Sequence, residues 1–181
     1  MANFGKAIDI VLKHEGGWVN NPNDSGGATN YGISLRFLAE HPEIGDFDHD
    51  GDVDAEDIKN MTVDEAKEVY KNLWWNKFHY DLIVNDAVAT KIFDTAVNMG
   101  SKRSHIFAQQ CLCDLGIKVT VDGILGPASR YSINMYCIDE EHAQNFLNQY
   151  REYQKNYYLK LIEKNPRLAV FKKGWLNRAM S

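Results

Sequence analysis

"FGKAIDIVLKHEGGWVNNPNDSGGATNYGIS", residues 4–34, changes character halfway along. Its first part sets Phe4, Ala7, Ile8, Val11 and Leu12 at helical spacing, which predicts an amphipathic helix over 3–15 stopped by Gly16-Gly17. Its second part, 18–33, is dense in Asn, Gly, Asp and Ser, and predicts irregular chain or a small bent β-ribbon. A helix running into a short Gly-rich ribbon is therefore the first unit of the fold.

The helical pattern returns downstream. Ser34 can cap a short helix through Ala39 that Pro42 ends, and Thr62-Val-Asp-Glu65 is a capping box opening a helix that runs through Trp74. Val88, Ile92, Phe93, Ala96 and Val97 give Asp86–Met99 an apolar face closed by Gly100, and a further helix over 101–115 ends at Gly116. The stretch 121–127 reads as a turn in which Gly123 and Gly126 serve the bend and Pro127 suits a first helical position. A long amphipathic helix follows Asp139 to about Asn165, with a short tail behind it. The expected class is mainly α, with at most a small ribbon near 18–33.

Composition narrows the possibilities. A chain of 181 residues, 44% hydrophobic and 12% aromatic, is long enough for a packed core as one domain or two small intimately packed ones. No apolar run reaches the roughly 18–20 residues of a membrane span, so membrane insertion is not expected. The N-terminus lacks the unbroken apolar stretch of a signal peptide. Three cysteines, Cys111, Cys113 and Cys137, match neither a disulfide framework nor zinc spacing, and are expected to be reduced and buried. The formal net charge is −5, yet residues 46–57 alone hold seven acids and no Lys or Arg, leaving the rest mildly basic. Nothing forms a nucleic-acid stripe, so no nucleic-acid partner is expected.

The acidic stretch, "DFDHDGDVDAED", has a spacing of its own. Asp46, Asp48, Asp50, Asp54 and Asp57 fall at loop positions 1, 3, 5, 9 and 12, with Gly51 at the sharp bend, as wrapping a hard cation such as Ca²⁺ requires. Asp52, at position 7, would ligate through its carbonyl. Asp57 stands where an EF-hand carries Glu, as in dockerin loops. The ion's expected role is structural, rigidifying the loop rather than serving the chemistry.

Glu15 is the candidate for chemistry. It falls in the last turn of the first helix, where the negative dipole end raises the energy of an ionised carboxylate, and a folded-back Trp18 would add desolvation. A carboxylic acid that holds its proton can deliver it to a leaving alkoxide, the step that glycosidic cleavage needs. Asp24 and Thr29, in the Gly-rich segment, are candidates for handling the opposite sugar face, although both residue types also suit plain turn chemistry. Asn30, Tyr31 and Asn98 are candidate substrate contacts, and Trp74 and Trp75 are each expected to pack in the core, with one ring stacked on sugar as the alternative.

"EGGWVNNPNDSGGATNYGIS" (15–34), "LWW" (73–75), "FDTAVNMG" (93–100), "VDGILGP" (121–127) and "GWLNR" (174–178) together resemble glycoside hydrolase family 108, the phage and bacterial peptidoglycan N-acetylmuramidases of lysozyme-like fold. The resemblance implies a hydrolase region over 1–90, carrying the 46–57 loop as an elaboration, and a peptidoglycan-binding-like region over 91–181 packed with it. It makes Glu15 the catalytic acid and aligns Asp24 and Thr29 with the Glu–Asp–Thr set of phage lysozymes. The implied partner is bacterial peptidoglycan, and the implied role is that of a monomeric endolysin held in the host bacterial cytoplasm until released to the wall. A non-catalytic calcium-stiffened wall-binding module and a chitin-type glycosidase are the alternatives.

Overall fold

The computed structural model describes residues 1–19 and 27–181, and its architecture is mainly α with one two-stranded ribbon among the described residues. The chain divides into two compact units, one of Ile8–Lys77 and one of Met1–Ala7 with Phe78–Ser181.

The Ile8–Lys77 unit takes most of helix α1 (Phe4–His14), strands β1 (Thr29–Asn30) and β2 (Ile33–Ser34), and helices α2 (Leu35–Leu38), α3 (Pro42–Gly45), α4 (Ala55–Asn60) and α5 (Val63–Tyr70). α5 runs on into a π-helical turn, Lys71–Asn76. Ile8, Val11, Ala28, Ile33, Leu38, Ile58, Met61, Ala66, Val69, Tyr70 and Trp75 are buried, so each short element is fixed by one or two apolar anchors. Thr62 and Glu65 make the expected capping box at the start of α5. Ser34 caps α2, its hydroxyl accepting from the Phe37 N–H at 3.3 Å. Pro42 acts differently from the expectation. It begins α3 at the first helical position, where its missing N–H costs nothing, rather than merely ending α2.

The second unit is built on α6 (Asp86–Met99), α7 (Ser101–Asp114), α8 (Pro127–Tyr136), α9 (Glu140–Lys164) and α10 (Lys172–Met180). α6 packs against α7 and α9, and α9 against α10, around Ile92, Phe93, Ala96, Phe107, Leu112, Phe146 and Tyr150. Several buried polar groups in this core are paired. The Ser104 hydroxyl bonds the Ile92 carbonyl at 2.6 Å and the Tyr150 hydroxyl at 2.8 Å. His105 lies between the Tyr80 hydroxyl (2.8 Å) and the Gly123 carbonyl (3.1 Å). Lys91 donates from Nζ to the carbonyls of Arg178 and Ala179, both at 2.8 Å, while Arg178 pairs with Asp94 at 2.9 Å. A lysine from α6 thus caps the orphan carbonyls of α10.

Gly100, Gly116 and Gly123 take left-handed φ. At Gly123 a Cβ would come within 2.8 Å of the Lys102 side chain and 3.0 Å of its carbonyl, so the 121–127 turn closes only on a glycine. All three cysteines are free thiols, but Cys113 is exposed rather than buried. It lies one residue off the inward positions Cys111 and Leu112 of α7, so helical phase turns it to solvent.

Candidate active site

Glu15 still belongs to the last turn of α1, its N–H donating to the Val11 carbonyl at 3.1 Å, and its side chain is half-buried. α1 stops directly behind it without a left-handed glycine, since neither Gly16 nor Gly17 has a positive φ. A Cβ at either would meet no atom of the described residues within 4 Å.

The chain then returns over the carboxylate. Val19 and Thr29 form an antiparallel bridge with both N–H···O bonds at 2.8 Å, and Thr29 pairs on its other side with Ser34. Between β1 and β2 lies a two-residue turn, Tyr31-Gly32, with φ of 49° and 78°. Positive φ at both central residues is the pattern of a type I′ hairpin turn, matched to strand twist but strained for a tyrosine. The turn sits on Glu15. A Cβ at Gly32 would fall 2.7 Å from Cγ and Cδ of Glu15 and closer still to Oε2. Trp18 is 40% exposed, and the hairpin turn lies directly against the carboxyl.

A second set of contacts holds the turn in place. The buried Tyr70 donates its hydroxyl to the Tyr31 carbonyl at 2.8 Å. Its ring lies 5.4 Å from Trp74, which packs 4.8 Å from Phe37. The π-helical turn places Trp74, half-buried, in this aromatic cluster and buries Trp75 in the core. Asn30 also faces inward. It is 6% exposed, and its amide donates to the Ile58 carbonyl at 3.1 Å, tying the hairpin to α4.

Glu15, Thr29 and Tyr31 are thus brought into one hairpin-and-helix arrangement, whereas Asn98 belongs to the other unit, on the last turn of α6. Asp24 lies outside the described residues. Gly32 and Tyr70 carry the geometry and were not among the sequence candidates. The only sequence signal for the first was a glycine two residues past Thr29-Asn30, between segments of strand-like alternation.

The acidic loop gathers its carboxylates in two groups, Asp46, Asp48 and Asp50, and Asp52, Asp54 and Asp57, with ligand atoms within 4.8 Å inside each. Asp46 accepts from the Gly51 N–H at 3.1 Å through one oxygen, while its other oxygen is buried with no hydrogen-bond partner among the described residues. The charge of Asp50 is the largest of the effects pushing the Asp52 carboxyl above the usual range, and Asp48 is also raised. This donor set fits a hard divalent ion. Asp57 has a further task. It is 1% exposed and accepts from the N–H groups of Phe47 (2.7 Å) and Asp54 (2.8 Å), closing the loop and completing a capping box on α4.

Residues 8–100 match the family model described as glycosyl hydrolase 108, and residues 103–180 match one described as a predicted peptidoglycan domain. Among solved structures the chain is similar to that titled "Structure of Brucella abortus SagA", with 26% identity and a TM-score of 0.72 over 97% of this chain and 88% of that one. No curated protein sequence matched. A family model matched over half the chain's length, with a peptidoglycan domain matched behind it, places this protein in glycosyl hydrolase family 108, as a peptidoglycan hydrolase.

Proposed function

We propose that the protein is an N-acetylmuramidase that cleaves the β-1,4 bond between N-acetylmuramic acid and N-acetylglucosamine, with Glu15 as general acid. The observation that carries this reading is the Gly32 turn packed on the Glu15 carboxyl, since a strained turn on a half-buried acid is what fixing a proton donor requires. Glu15 gives its proton to the glycosidic oxygen as the bond from the anomeric carbon to that oxygen breaks. A water adds to the anomeric carbon from the other face and its proton leaves to a base. Thr29, held at the centre of the small ribbon, is suited to hold that water by hydrogen bond. Asp24 is assigned to stabilising positive charge at the anomeric carbon or to activating the water, with inversion of configuration the favoured outcome.

Ca²⁺ is proposed as a structural ion, held by Asp46, Asp48, Asp50, Asp54 and Asp57 and supplying no chemistry to the cleavage. The buried, unpartnered oxygen of Asp46 supports this assignment. In this reading the enzyme is a monomeric endolysin, kept in the host bacterial cytoplasm until lysis gives it access to the wall.

Mass spectrometry of products from purified peptidoglycan tests the reaction. Reducing-end muramic acid is expected, and Glu15→Gln should lower its release at least 100-fold. Reducing-end glucosamine or cleaved stem peptides would overturn the bond assignment, and turnover of chitooligosaccharides in preference to peptidoglycan would favour the chitin-type alternative. A Glu15→Gln variant as active as the wild type would remove Glu15 from the mechanism.

A further inference from the structure

The second unit carries an arrangement that the hydrolytic reading does not use. Tyr158 is buried, Trp175 half-buried and Phe171 52% exposed, and the three rings stack in that order. Their centroids are 4.9 Å and 5.6 Å apart, with planes within 20° and 22° of parallel. The ladder therefore runs from the core to the surface and ends in exposed aromatic area, beside Val170, which is 80% exposed. Exposed apolar area at the tip of a rigid stack is costly unless something covers it.

Two further features mark the same place. Asn98 is exposed at the end of α6, and its Oδ1 accepts from the Tyr158 hydroxyl at 2.6 Å. That bond fixes the amide's orientation, with Nδ2 as its donor group, and couples it to the base of the ladder. From Asn165 to Ser181 the chain holds Arg167, Lys172, Lys173 and Arg178 and no acid, although the protein as a whole is acidic. Arg178 is committed to Asp94, while Arg167, Lys172 and Lys173 are exposed.

We propose that Asn98, Trp175 and Phe171, flanked by Lys172 and Lys173, form a wall-polymer binding face on this unit. Its ligand is an N-acetylated sugar strand bearing carboxylates. The apolar face of a pyranose stacks on the exposed ring, and the Asn98 amide donates to an acetamido carbonyl. The lysines meet the stem-peptide carboxylates, and the opposite charges favour retention on the polymer. A membrane surface would also attract basic and apolar residues. A flat, parallel aromatic stack with an oriented amide beside it favours the sugar. The inference rests on the reading of peptidoglycan as partner, and gives Asn98 a recognition role within this unit.

Co-sedimentation with purified, insoluble peptidoglycan tests it, using the full chain in the Glu15→Gln background so that the matrix is not consumed. Phe171→Ala, Asn98→Ala and the charge reversal Lys172→Glu/Lys173→Glu are each expected to weaken binding at least five-fold. Tyr131→Ala, at an exposed aromatic of α8, should leave binding unchanged. Oligomers of N-acetylglucosamine should compete and oligomers of glucosamine should not, which reads the acetamido contact directly. The charge reversal lies wholly on exposed side chains, so it remains informative if Phe171→Ala melts early. Wild-type binding with all three variants equally tight would overturn the face while leaving the partner intact. A parent protein that fails to sediment with the polymer would overturn the partner itself. Tighter association with anionic phosphatidylglycerol vesicles than with the polymer would reassign the face to membranes.

Discussion

At Gly32 the difference between glycine and alanine is one methyl group, and the space it would need is held by Glu15. Gly32→Ala also has to bear a φ of +78°, a strain of about 1 kcal/mol, so the turn and the carboxylate cannot both keep their places. Peptidoglycan turnover is expected to fall 10²-fold or more while the far-ultraviolet circular dichroism stays helical, and full activity in that variant would show that the seat of Glu15 is not needed. Tyr70→Phe is a milder probe of the same seat. It removes only the hydroxyl that bonds the Tyr31 carbonyl, at a cost of about 1 kcal/mol, and should lower kcat several-fold with little change in KM. The place of Glu15 in the last turn of α1 was legible in the sequence because helix periodicity and its stop are local. Gly32 and Tyr70 were not, because their partners lie far along the chain, 39 residues away for Tyr70 and Tyr31. Asn30 shows the reverse. A polar residue beside Tyr31 read as a surface contact, and the fold instead used its amide to hold α4.

Among the elements, those long enough to repeat a pattern were readable. α1, α6, α7 and α9 each show several turns of apolar spacing and a cap or glycine at an end, and their positions follow from that. α3 and α4, at four and six residues, have too few positions to display a period. The π-helical turn is set by how Trp74 and Trp75 pack, which no local propensity encodes. In the acidic loop the alternation of aspartates was plain, but the structural duty of Asp57 was not. Because this carboxylate joins Phe47 to Asp54 and caps α4, Asp57→Ala should lower stability by roughly 2–4 kcal/mol even in EDTA, from the loss of a buried charged acceptor. For the wild type, Ca²⁺ is expected to raise the melting temperature over EDTA, and for Asp57→Ala that rise should shrink or vanish. Calorimetry of both proteins with and without the ion checks it, and a wild type indifferent to Ca²⁺ would remove the ion from the loop.

For the molecule as a whole, acid sensitivity should centre on a buried histidine of the second unit. Burial pushes the His105 imidazole down to about 4, and the ring stays neutral between the Tyr80 hydroxyl and the Gly123 carbonyl. In the unfolded chain this histidine takes up a proton near its ordinary value of about 6.5. Between those two values the unfolded state binds the extra proton, so stability is full above about pH 6.5 and is lost progressively as pH falls toward 4. The loss reaches roughly 3 kcal/mol at the lower end. Urea unfolding of the wild type against His105→Gln, at pH 7 and pH 4.5, should show a smaller acid loss in the variant; equal losses would assign the sensitivity to other groups. The same unit contains one more long-range tie, between Lys91 and Asp94 on α6 and the carbonyls and guanidinium of Arg178. These partners are 84 residues or more apart, so during synthesis two ionisable side chains stay without their native partners until the ribosome has delivered α10. Folding of this unit should therefore wait until α10 has emerged, and nascent chains stalled before Arg178 should be the ones that proteases and chaperones capture.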